Sequence, residues 1–220
     1  MRGSTWRVVS TAAVVVATLG STTAAIAITR ESAGNTDATI TPAPRATTLT
    51  ADQQATFAAL RQPAVSSVSD ELDWFVDTHI IRDQYGPDAQ LARSLPAPAS
   101  EGPGAWFVLP GHNSVCFFDG SAGTCASMKE ARAGRLFLIR FPKPKGKAQP
   151  GVPPTLGTPT VIGIAPDDVT KITVVTSNGQ RTSGTPRGGA YAITPAHREL
   201  KALMLHRADG TTTSLPLGPR

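Results

Sequence analysis

The sequence predicts an α+β chain, in which a short N-terminal helical segment precedes a mainly antiparallel β-sandwich or open-barrel domain. Three observations predict it. Apolar residues recur at helical spacing before residue 96 and at strand spacing after residue 104. Seven or more short apolar runs follow one another in that second part. Two of them lead into Asn-Gly and Asp-Gly turns with polar returns, ITVVTSNGQR and ALMLHRADGTTTSLPL. Those dipeptides accept the positive φ angles of hairpin turns.

Residues 1–28 read as an export segment. Arg2 and Arg7 precede an uncharged stretch, VVSTAAVVVATLGSTTAAIAIT, and no acidic residue comes before Glu31. A basic flank, an apolar middle and small residues at the end make up a secretory signal. Ala25-Ile26-Ala27 fits the small-x-small pattern of a cleavage site. An uncleaved signal anchor is the alternative, because about 20 apolar residues cross a bilayer as a helix. Both readings orient the N-terminus inward and put the rest of the chain outside the cytoplasmic membrane. Residues 29–49, rich in Thr, Pro and Ala, are too poor in apolar surface to offset the entropy of ordering and are expected to form a tether.

The helical segment spans 50–95. Thr50 and Gln53 have the spacing of a capping box, and the helix they open carries Phe57 and Leu60 and stops at Pro63. Ser69 with Asp70 and Glu71 marks a second start, since carboxylates favour the positive end of the helix dipole. Leu72, Phe75, Val76, His79 and Ile80 then fall on one predicted face, which Gly86-Pro87 ends. Asp88 to Leu95 is expected to add a turn or two.

The β-rich domain spans 105–218. Trp106–Leu109 and Val115–Phe118 are strands around a Pro-Gly-His-Asn turn. Thr124–Ala133 is expected to be a short helix closed by Gly134, and Leu136–Phe141 a strand. Residues 142–159 hold six prolines and three glycines and are expected to be a flexible loop. Val161–Ile164 and Ala190–Ile193 complete the strands with the two hairpins.

Cys116 and Cys125 are the only cysteines. An even count in an exported chain points to a disulfide, and the Gly-containing spacer between the two allows the α-carbons to meet. A short loop closed this way stabilises a fold by roughly 2–3 kcal/mol. A second chemistry uses Cys125 as a sortase-like nucleophile after Thr124, with His79 or His112 and Arg132 as partners. It requires a free thiolate of lowered pKa, which a neighbouring cysteine would capture. His112, Cys116 and Cys125 as metal ligands lack a fourth partner. His79 reads as a core histidine, and His197 and His206 as surface or strand residues. Asp70-Glu71 reads as a helix cap and Asp167-Asp168 as the opening of a turn. Neither pair has the form of an acid–base site, and no phosphate-cradling or nucleophile-elbow motif occurs. No cofactor is implied.

The net charge is +5, with 21 basic and 16 acidic residues, 17% charged and 5% aromatic. The basic excess gathers in Lys129, Arg132, Arg135, Arg140, Lys143, Lys145 and Lys147, against Glu130 alone. Such a run suits an anionic surface, either lipid headgroups or an anionic wall polymer. Few aromatics interleave it, and an exported chain does not meet nucleic acid.

Four pieces occur in order: FAALRQPAVSSVSDEL, GPDAQLARSL, WFVLPGHNSVCFFDGSAGTCASMKEARAG and VIGIAPDDVTKITVVTSNGQ. In this order the chain resembles a family of uncharacterised exported actinobacterial proteins over most of residues 55–195. The family has no established activity. The resemblance implies export and this domain layout, and it assigns no functional residues. The resulting expectation is a non-enzymatic exported or envelope-associated protein with a binding or accessory structural role. An extracellular enzyme acting on wall material and an electrostatic binder acting through 129–147 are the alternatives.

Overall fold

A computed structural model describes residues 25–26, 42–96, 105–142 and 157–217. The export segment, most of the tether and the Lys-Pro-Gly stretch at 143–156 lie outside the described residues, apart from Ala25 and Ile26. Among the described residues no helix is long and apolar enough to cross a membrane.

Among the described residues the expected antiparallel, β-rich architecture is present as three four-stranded sheets with a few short helices. The first sheet holds β2 (Arg93–Pro96), β3 (Ala105–Gly111), β4 (Ser114–Phe118) and β5 (Gly123–Ser127) in that order. The second runs β1 (Ala25–Ile26), β6 (Phe137–Arg140), β7 (Thr160–Ile164), β10 (Ala190–Ile193). The third runs β12 (Thr212–Pro216), β11 (Leu200–Arg207), β8 (Val169–Thr176), β9 (Arg181–Gly184).

The second sheet contributes to two cores. Leu138, Ile162, Ile164 and Ala190 pack with Trp106, Val108, Val115 and Phe117 of the first sheet. Ile139, Val161, Tyr191 and Ile193 pack with Ile172, Val174, Leu203 and Leu205 of the third. Neighbouring residues of its strands therefore enter different cores, and β6, β7 and β10 read as nearly unbroken apolar runs. The third sheet is covered on one face, so β11 alternates between buried Leu203 and Leu205 and partly exposed Ala202, Met204 and His206. The first sheet packs the second with one face and helices with the other: Leu109, Cys116, Phe118 and Cys125 share a third core with Leu72, Phe75 and Val76.

The first two helices start where the sequence places them. Thr50 and Gln53 form the reciprocal capping box of α1 (Ala51–Thr56), and a 3-10 turn follows at Ala58–Arg61. Ser69 caps α2 (Asp70–Asp77) by accepting from the Leu72 N–H. Hydrogen bonds from its own backbone and from Ser69 hold the Glu71 carboxyl below its ordinary value.

Four expectations are corrected. The predicted face from Leu72 to Ile80 is broken at Thr78, whose extended ψ of 124° separates α2 from α3 (His79–Tyr85). The break turns His79 and Ile80 outward; the His79 side chain is 81% exposed and meets Asp83 at 3.0 Å, so it is no core histidine. Residues 42–49 of the expected tether are docked. Ala43 N–H donates to Asp83 O and Ala46 N–H to Gly86 O, which satisfies carbonyls at the end of α3, and Arg45 pairs with Asp77 at 2.6 Å. The turn expected within Asp88–Leu95 is present as a 3-10 turn at Ala89–Leu91 capped by Asp88, but it ends there, and Arg93–Pro96 is strand β2, because its partner β3 offers a ladder in register from Arg93↔Val108 to Pro96↔Ala105. Gly123–Ser127 is strand β5, so the helix expected from Thr124 starts only at Met128 (α4, Met128–Arg132). Ser127 and Glu130 form its capping box.

The helical segment is not a separate unit from the β-rich part. Phe57, Ala59 and Leu60 sit in the same core as Trp106 and Phe117. Buried Gln53 donates to Gly111 O and Ser114 O, at 2.9 and 2.8 Å, across the β3–β4 turn.

Candidate functional site

The two cysteines lie directly opposite each other on β4 and β5, with a Cα–Cα distance of 4.0 Å, and form a disulfide. The β4–β5 turn makes this register. Asp119 Oδ1 accepts from Ser121 N–H, Ser121 O–H and Ala122 N–H, at 2.8 to 2.9 Å, and the Asp119 side chain is fully buried. Its other oxygen faces Arg140 Nε at 3.2 Å. Gly123 follows because a Cβ there would stand 2.2 Å from the Phe75 ring. Phe75 in turn stacks on Phe118 with ring centroids 5.0 Å apart. The disulfide is thus buried beneath α2, and neither sulfur is a free thiol. The nucleophile reading of Cys125 and the ligand reading of both cysteines fall with that pairing. Among the described residues no three of His, Cys, Asp and Glu converge to hold a metal ion.

The basic run is divided by the fold. Arg132 pairs with Asp52, and its carbonyl accepts from Arg207 Nη2 at 2.6 Å. Arg140 pairs with Asp119. Lys129 is exposed on α4 and Arg135 is partly buried. Lys143, Lys145 and Lys147 lie outside the described residues. Arg132 and Arg140 therefore have structural partners, and the structure does not bring the seven cations together as one described patch.

The acidic pair Asp167-Asp168 forms the turn expected before β8, which the Val169 N–H closes on Pro166 O at 3.0 Å, and Asp167 has a further role. Asp167 Oδ1 accepts the Ala58 N–H, its own N–H donates to Thr56 O at 2.9 Å, and its Oδ2 meets Arg61 Nη1 at 2.6 Å. It locks the 3-10 turn at 58–61 onto the start of β8. Asp168 pairs with Arg207. His206 lies on the open face of the third sheet, with Nε2 3.1 Å from Thr173 Oγ1 and Nδ1 3.2 Å from Thr212 Oγ1. Thr173 Oγ1 also meets Ser183 Oγ at 2.9 Å. This ladder ties four strands together on one sheet face. His112 and His197 are exposed.

A cleft of about 310 Å³ lies where the N-terminal segment crosses the β-rich part. It is lined by Ala58 and Arg61 of the 3-10 turn, Pro166, Asp167 and Val169 at the start of β8, and Pro186, Gly188 and Gly189 before β10. The volume is at the small end of ligand pockets, large enough for a one- or two-residue fragment. Sequence reading missed it. Arg61, Asp167 and Gly188-Gly189 are far apart in the chain, and no spacing rule links them. Compared with protein-family models, with curated proteins and with solved structures, this chain finds no match.

Proposed function

We propose that this is an exported or envelope-associated, non-enzymatic protein with a binding or accessory structural role. The observation that carries the reading is the disulfide between Cys116 and Cys125, buried beneath α2. Such a bond forms and persists in oxidising compartments. The uncharged N-terminal stretch behind Arg2 and Arg7 and the resemblance to exported actinobacterial proteins point the same way. The stacked antiparallel sheets are read as a sandwich-type scaffold, joined to the membrane during export or through a retained anchor. Anionic wall polymer or lipid headgroups are secondary partners, contacted by Lys129 and Arg135 together with Lys143, Lys145 and Lys147.

The test is intact-mass measurement of the chain from cells and from medium, with and without alkylation. The expected protein lacks two hydrogens relative to the reduced chain, takes up no alkylating reagent before reduction, and begins near Ala27 if the signal is cut. An alkylatable Cys125 in native protein, or a full-length chain confined to the cytoplasm, overturns the reading.

A further inference from the structure

The cleft beside Arg61 is lined by residues with hydrogen-bond donors that have no acceptor among the described residues. The Asp167 carboxylate is committed inward, with one oxygen on the Ala58 N–H and the other on Arg61. The guanidinium uses Nη1 alone, toward Gln54 O and Asp167, so Nε and Nη2 have no acceptor among the described residues. Gly188 and Gly189, which also line the cleft, have φ of +58° and +83°, and their peptide N–H groups meet no acceptor among the described residues. Gly189 has no Cβ to spare, since one would stand 2.9 Å from Ala59 N; this lets the loop approach the 3-10 turn closely and form the wall. Peptide N–H groups without an acceptor favour an anion, and a guanidinium fork matches the two oxygens of a carboxylate. The remaining walls, Ala58, Pro166, Val169 and Pro186, are apolar.

We infer that this cleft binds a carboxylate carried on a short apolar stem, held by Arg61 and the Gly188-Gly189 amides. Two sources share that chemistry, the C-terminus of a peptide and a free aliphatic acid. The stem rests on the proline and valine walls, and the carboxylate replaces water on donors that the fold leaves unpaired. The Arg61–Asp167 pair fixes the guanidinium in place, so little side-chain entropy is lost on binding. The inference deepens the binding role proposed above and rests on it.

The experiment is an amide-resolved NMR titration of the full chain in a neutral detergent. The probes are acetyl-Ala-Ala as the free acid, the same peptide as its C-terminal amide, and butyrate. Saturable shifts are expected at Gly188 and Gly189 with the peptide acid, and at least about tenfold weaker binding of the amide, as loss of a charge-assisted pair implies. Butyrate binding as tightly as the peptide acid assigns the site to free acids; weaker binding assigns it to peptide C-termini. Arg61→Gln is expected to abolish the shifts, and Arg61→Lys to restore part of them, with both variants checked for an unchanged fold by their remaining resonances. Equal binding of acid and amide, or no saturable shift at Gly188 and Gly189 in a folded protein, overturns the inference. Such a failure in an exported, disulfide-bonded protein leaves the broader reading standing, whereas free thiols or cytoplasmic retention remove that reading regardless of the titration.

Discussion

The first and third sheets have the same strand count and the same antiparallel pairing, yet they are held in opposite ways. The first is buried on both faces: all five residues of β4 are buried, helices cover one side and the second sheet the other, and a disulfide cross-links its centre. The third has one open face. It relies on local turn chemistry that occurs twice. Gly179 N–H donates to Thr176 O and Thr176 N–H to Gln180 O; Gly210 N–H donates to Arg207 O and Arg207 N–H to Thr211 O, in the same spacing. Asn178 and Asp209 each accept the N–H two residues on. Only the glycines take positive φ, at +82° and +83°, which is the type I turn with a bulge and not the two-residue turn that both dipeptides suggest. Packing against distant segments specifies one sheet, and short-range hydrogen bonding closes the hairpins of the other.

That contrast can be broken most sharply at Phe75. Phe75→Ala removes a buried ring over Gly123 and Phe118 and is expected to cost about 3–5 kcal/mol, while Trp74→Ala, one residue earlier and 51% exposed, stays within about 0.5 kcal/mol. Denaturant unfolding of the two variants measures the difference, and equal losses would mean that α2 does not cover the first sheet. Reducing the Cys116–Cys125 bond comes next, at about 2–3 kcal/mol, read as a lowered melting temperature without loss of the β-sheet signal at low temperature.

Gly179→Ala and Gly210→Ala test the third sheet. Nothing lies within 4 Å of either added Cβ, so the cost is conformational alone, about 1–2 kcal/mol each. The two losses should match, because the two turns match. Tyr191 sits between the second and third sheets, 3% exposed, with a hydroxyl that meets no partner among the described residues. Burial pushes its pKa above the ordinary 10.0. The folded protein therefore keeps the proton that the unfolded chain loses, and stability falls as the pH rises above about 10. Tyr191→Phe is expected to remove that alkaline loss and to change neutral-pH stability by less than about 1 kcal/mol, in the stabilising direction, as seen by urea titration at two pH values.

The smallest effect belongs to Asp209. The side-chain and backbone bonds from Thr211, with Arg207 nearby, hold its carboxyl below the ordinary 3.8. A lowered folded pKa contributes stability above 3.8 that is lost as the pH falls through the lowered value. Faster amide exchange at Thr211 is expected only in that acid window, and Asp209→Asn should abolish the pH dependence while keeping the turn.

Much of this was legible in residue types. Thr50 with Gln53 and Ser69 with Asp70 mark helix starts because a capping bond is local, and the structure has both. The two hairpins were legible for the same reason. Thr124–Cys125 was not, since its strand character depends on β4 lying beside it. His79 was misplaced because a face drawn at constant helical spacing does not anticipate a break at Thr78. The cleft was the least legible feature, as its two walls are more than a hundred residues apart in the chain.

The sequence by itself determined where α1 and α2 begin, where the two C-terminal hairpins turn, and which cysteines pair. Caps, turns and a lone cysteine pair are short-range or leave no alternative. Only the tertiary structure decided that the described strands form three sheets, that residues 42–49 dock on α3, and that Asp167 holds Arg61 beside a cleft. Each of these depends on segments distant in sequence arriving at one place, and residue spacing along the chain carries no record of that.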